Sequence, residues 1–161
     1  MQVTVCHGTK HESDASRRED SVDCVRCLFR RYDRHEHRPP HGGTPIALGN
    51  EEYHLELVLD AAKTKLVAYI LYGELEKFIR IAAPSFVIAV VVEGRDEVLT
   101  FEAVASNATG ETVGDTSMFE VRADWLKADS TFDGILEELP VRSSKYSRVS
   151  FKFPKGNDAK P

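Results

Sequence analysis

The chain has 161 residues, 42% hydrophobic and 29% charged, with a net charge of −5; this is the profile of a globular domain large enough to bury a core of its own. No run of 18 apolar residues occurs, so no segment reads as a membrane-spanning helix. The acidic balance, with no basic helical face carrying interleaved aromatics, argues against a nucleic-acid binder.

Residues 1–40 read as a flexible, charged lead. They carry eight Lys/Arg, seven Asp/Glu and four of the six histidines, a composition that cannot bury enough apolar surface to order itself. Its one amphipathic piece is "SVDCVRCLFRRY", where Val22, Val25, Leu28 and Phe29 fall at helical spacing, so a short helix is the alternative. All three cysteines, Cys6, Cys24 and Cys27, lie here. An odd number argues against a disulfide framework, and the lone CxxC pair lacks the second pair or spaced histidines that a zinc site of that type needs. No apolar core marks the first twenty residues as a signal peptide.

"RPPHGG" ends the lead. Pro39 and Pro40 fix φ, while Gly42 and Gly43 permit a turn into the domain expected over residues 41–158. "TPIALG" then reads as a short strand. "EEYHLELVLD" alternates, with Tyr53, Leu55, Leu57 and Leu59 on one face and His54, Glu56 and Val58 on the other. "AAKT" turns the chain and "KLVAYILYG" returns as the second arm of a hairpin. "EKFIRI" is a further short element, "SFVIAVVVEG" an apolar strand, and "VLTFEAVAS" its partner across the polar turn "GRDE". A Gly/Ser/Thr/Asn loop, "NATGETVGDTS", precedes "MFEVRADWL", a strand with one helical turn at "ADWLKA". "FDGILEELPVRSSKYSRVSFKFP" reads as a final hairpin turning near Ser143 and Ser144. Seven or eight short strands without a long amphipathic helix indicate an all-β fold, an antiparallel β-sandwich or a small barrel, with the sandwich the expected form.

The histidines supply the main chemical signal. His35, His37 and His41 crowd into "RHEHRPPHGG", and His54 follows on the next strand with Glu56 on the same face. Neutral imidazole is a ligand for zinc, copper and nickel. If the first two strands pair, His41 and His54 approach each other. The expected site is therefore His41 and His54, assisted by His35, His37 and Glu56, holding a zinc or copper ion, with affinity falling below about pH 6.5 as the rings protonate. The acids Glu74, Glu76, Glu93, Asp96, Glu97, Glu137 and Glu138 sit at turns and strand ends, where charge serves solubility. No GxSxG, P-loop, HExxH or GxGxxG occurs, and no enzymatic role is expected. Asn107-Ala108-Thr109 matches a glycosylation sequon.

"PHGGTPIALGNEEYHLELVLD" with "KLVAYILYGELEKFIRI" and the closing "SFKFPKGND" resembles small extracytoplasmic bacterial domains found beside heavy-metal efflux systems. It is also similar to an HGG segment near the N-terminus of some efflux adaptor proteins. The resemblance covers roughly residues 36–158 and rests most specifically on His41-Gly42-Gly43 with His54-Leu55-Glu56-Leu57. It implies a periplasmic or other extracytoplasmic place, His41 and His54 as metal-associated residues, Glu56 with less weight, and efflux-system proteins as partners. Tyr72 stands where such proteins carry aspartate. The leading expectation is a non-enzymatic metal-binding or efflux-accessory domain. The alternative is a metal-free protein–protein interaction sandwich, working through its edge strands and the 107–117 loop.

Overall fold

A computed structural model describes residues 38–157; the expectations for residues 1–37, including His35, His37 and the three cysteines, lie outside them. Eight antiparallel strands follow one another: β1 (Thr44–Leu48), β2 (Tyr53–Asp60), β3 (Lys65–Tyr72), β4 (Ser85–Val92), β5 (Arg95–Ala103), β6 (Met118–Arg122), β7 (Phe132–Val141) and β8 (Ser144–Phe153). A single 3-10 turn, Ala61–Lys63, joins β2 to β3, and Thr64 leaves it in the left-handed region at φ 48°. Within the described residues no helix is long and apolar enough to cross a membrane.

The all-β antiparallel class expected from the sequence holds, but the strands form one sheet where two stacked sheets were expected. Its order is β1-β2-β3-β6-β5-β4-β7-β8. The ladder continues because β6, instead of starting a second layer, inserts between β3 and β5. It shares five residue pairs with β3 but only two, Glu102↔Glu120 and Ala103↔Phe119, with β5. The sheet then curls until its two edge strands face each other, as in a barrel. The Asn157 side chain bridges the remaining gap. Ala47 N donates to Asn157 Oδ1 at 2.8 Å, and Asn157 Nδ2 donates to the Ala47 carbonyl at 3.0 Å. The primary amide thus stands in for a peptide unit of a ninth strand. Thr44 Oγ1 donates to the Pro154 carbonyl nearby (3.1 Å).

The alternation of each strand fills the interior. Ile46, Leu55, Leu57, Leu66, Ile70, Ile88, Leu99 and Leu136 are buried and line it, with Phe86 and Phe101 stacked at 4.9 Å and Phe119 edge-on to Phe86. A second aromatic group joins Phe132, Phe151 and Phe153, the first and last stacked at 4.9 Å, with Trp125 against Phe132. Phe151 lies over Gly134, its partner across the β7–β8 ladder. A Cβ there would stand 2.5 Å from the ring, so the glycine makes room for the aromatic.

Two local expectations give way. "EKFIRI" forms no continuous strand; it is held by isolated bridges, with Ile79 N donating to the Ile70 carbonyl and Ile81 N to the Thr116 carbonyl, both at 2.9 Å, and Thr116 N donating back to the Ile81 carbonyl at 3.3 Å. Residues 123–130 form two successive turns without a helix, closed by Leu126 N to Ala123 O and Ser130 N to Lys127 O. Ser130 Oγ caps this segment by accepting from Lys127 N and donating to the Trp125 carbonyl, bonds that compete with helical ones.

Candidate functional site

The two motifs that stand out in the sequence are halves of one joint. Pro39 to Gly42 forms a turn, with Gly42 N donating to the Pro39 carbonyl at 3.0 Å and Gly42 in the left-handed region at φ 68°. Only glycine takes that conformation without strain. Gly43 has a different reason: a Cβ on it would stand 2.5 Å from the Leu57 carbonyl and 2.9 Å from Glu56 Cγ, so the chain can lie this close to β2 only without a side chain.

The close approach delivers backbone donors to Glu56. This carboxylate is fully buried, yet three donors meet it: His41 N at 3.0 Å and Gly43 N at 2.9 Å, both on Oε1, and His41 Nδ1 at 3.0 Å on Oε2. Alternate N–H groups of the HGG turn and the imidazole together make a small anion nest. A buried carboxylate is tolerable only when bonded in this way.

The same bonds orient His41. With Nδ1–H donated to the carboxylate, the neutral ring carries its lone pair on Nε2. The side chain is 36% exposed, and Nε2 makes no hydrogen bond among the described residues. Tyr69, the β3 partner of Glu56 in register, lies flat against the ring with centroids 3.9 Å apart and planes 14° from parallel. Phe78 closes a third side at 5.6 Å and meets Tyr69 edge-on. Burial raises the Tyr69 phenol above its ordinary 10.0, and the negative charges of Glu56 and Glu111 add to the rise while Lys65 opposes it.

His54 occupies the next outward position along β2, paired across to Ala47 and Leu71. It is buried, as is Glu56, so the face of β2 turned away from the barrel interior is covered as well. β1 does pair with β2, as the metal-site reading requires. Among the described residues no group of three His, Cys, Asp or Glu side chains is arranged to hold a metal ion. The remaining named ligands, His35 and His37, lie outside the described residues.

Tyr69 and Phe78 escaped the sequence reading, although the β2–β3 hairpin register alone would have set Tyr69 beside Glu56. Glu111 was missed too. It is buried in the 105–117 loop, where Ser117 N and Oγ donate to Oε1 at 2.8 and 2.6 Å and Thr109 Oγ1 donates to Oε2 at 2.6 Å. Burial pushes its pKa up, but the Ser117 and Thr109 bonds and nearby Arg80 outweigh that and leave it below the usual value of 4.5. Arg80 ties the loop further through Asp115 at 3.2 Å and the Thr109 carbonyl at 2.6 Å. An open cleft of about 500 Å3 runs past Phe78, Arg80 and Glu111; Glu111 has its oxygens engaged within the loop and acts as its organiser.

No family model matches this chain, and no curated protein or solved structure matches it either.

Proposed function

We propose that the domain is a non-enzymatic, extracytoplasmic binder of a transition-metal ion, zinc or copper, serving a heavy-metal efflux system, with His41 as its anchoring ligand. One observation carries the reading: Glu56 holds His41 by Nδ1 and leaves Nε2 lone-pair outward at a partly exposed position. A carboxylate behind an imidazole fixes the tautomer, aims the ring and raises its basicity, which is how metal-bound histidines are usually supported. The HGG and HxEL resemblance points the same way.

The donor set fits such an ion as an anchor. Glu56 is assigned the supporting role, because its oxygens are engaged by the HGG turn, and ligation by them would strand backbone donors in a buried place. His54 is the second ring on this face of β2, and His37 precedes His41 by four residues in the chain. The bound ion would be cargo, accepted and released.

Calorimetric titration of the full chain with zinc and copper tests the reading. Micromolar binding is expected, lost in His41→Ala and weakened about 10- to 100-fold in Glu56→Gln, the range for losing an outer support. Absence of heat from both metals, or an unchanged isotherm in His41→Ala, would end it.

A further inference from the structure

The strand register leaves one apolar area on the outer surface, remote in sequence from His41. Val98 of β5 pairs with Ala89 of β4, and Ala89 pairs in turn with Ile135 of β7. The three form one row across three strands, and Val91 stands beside it on β4. Val98 is 66% exposed, Val91 45% and Ile135 44%. Scattered exposed apolar residues are ordinary, but a contiguous group on a sheet face marks an interaction surface. β4, "SFVIAVVV", is apolar on both faces, whereas an antiparallel strand with a solvated side alternates.

Acids bound the row on both sides. Asp96 and Asp133 flank Val91, while Glu138 pairs with Val87 and Glu102 with Ser85 on the other side. A register shift in β7 turns both Glu137 and Glu138 outward. Lys152 neutralises Asp133 and Lys145 neutralises Glu138. Asp96, Glu102 and Glu137 have no ion pair among the described residues.

We propose that this face docks an amphipathic basic helix of a partner protein, its axis lying across β5, β4 and β7. Strands stand about 4.8 Å apart, so the row from Val98 to Ile135 spans about 10 Å, the rise of about seven helical residues. Anchors at i, i+3 or i+4, and i+7 match that step. Ala89, small between two branched side chains, leaves a dip for the central anchor. Acids two to four residues along the strands, about 7 to 14 Å to either side, meet lysine or arginine on the helix flanks. The same charges disfavour a second copy of this face, which would set acid against acid.

Fluorescence anisotropy of the full chain with a labelled Leu/Lys amphipathic helix of about five turns, and with its Leu/Glu counterpart, tests the proposal. The Lys probe binds at micromolar concentration and the Glu probe does not. Val98→Thr with Ile135→Thr, outward positions where threonine keeps strand preference, weakens binding about tenfold or more. Asp96→Asn with Glu102→Gln weakens it and flattens its salt dependence. His41→Ala leaves it unchanged, which separates this surface from the proposed metal site. No binding of the Lys probe, equal binding of the Glu probe, or full binding by the threonine pair would overturn it. So would a wild-type dimer in sedimentation that the threonine pair dissolves, since the occupant would then be a second copy.

Discussion

Tyr69 lies flat under His41, ring centroids 3.9 Å apart, while Glu56 holds the same imidazole by its edge. One ring is therefore fixed in two directions by neighbours on adjacent strands, since Tyr69 and Glu56 are register partners of β3 and β2. Tyr69→Phe keeps the flat contact and should leave zinc or copper affinity within about twofold of wild type, whereas Tyr69→Ala frees the ring and should cost about tenfold. Titration calorimetry of the two variants reads the difference.

Alkaline pH probes the same tyrosine through stability. The folded protein holds the Tyr69 phenol above 10.0, first by burial and then by the Glu56 and Glu111 charges, and Tyr146 is raised by burial and by its hydroxyl bond to Glu52. A group bound more tightly to its proton when folded supports the fold fully below its unfolded pKa. That support is lost as pH rises above 10. Urea midpoints should fall as pH rises above 10, and fall less in Tyr69→Phe.

Glu56 is the joint between turn and sheet. Glu56→Ala leaves His41 N and Gly43 N without their acceptor beside β2, and should cost about 3 kcal/mol in denaturant unfolding. Glu56→Gln should cost less, but it brings an amide that can donate toward His41 Nδ1. Nitrogen NMR of the imidazole should then show the tautomer redistributed.

The 105–117 loop should show the opposite pH sign. Glu111 sits below its usual 4.5 because the Ser117 and Thr109 bonds overcome the cost of burial. Its support is complete above pH 4.5 and lost as pH falls through the lowered value. Ser117→Ala removes the 2.6 Å hydroxyl bond and should cost about 1–2 kcal/mol at pH 7. That deficit should shrink as the carboxylate protonates at acid pH, as paired urea titrations would show.

Much of the fold was legible because its signals are local. Alternating apolar residues over Tyr53–Leu59, period-two burial over Phe132–Leu136, and glycine turns such as Gly94 place most of the strands without tertiary information. The single sheet was not legible, since it hangs on β6 pairing with β3 and β5, partners about 50 and 20 residues away, and on one asparagine side chain near the end of the described residues. At the site, the sequence marked His41 and Glu56 as belonging together. It could not show that Glu56 is spent on backbone donors, because burial and bonding of a carboxylate depend on which segment lies over it. Phe78 was hidden by its irregular surroundings, where no periodicity points a side chain anywhere.

The Asn157 amide should be irreplaceable by its acid. Asn157→Ala loses both bonds to Ala47 and should cost about 1–2 kcal/mol. Asn157→Asp, nearly identical in shape, sets an oxygen against the Ala47 carbonyl and should cost at least as much at neutral pH. Amide exchange at Ala47, read by NMR, should quicken in both.

The ladder is thus thin in two places, at the side-chain clasp made by Asn157 and Thr44 and at the two-pair join of β5 and β6. These divide the ring of strands into two four-stranded halves, β1-β2-β3-β6 and β5-β4-β7-β8. The His41 joint rides on the first half and the acid-rimmed apolar row on the second. When the protein breathes, it should part along these two lines like a hinged shell, each valve carrying one working surface intact.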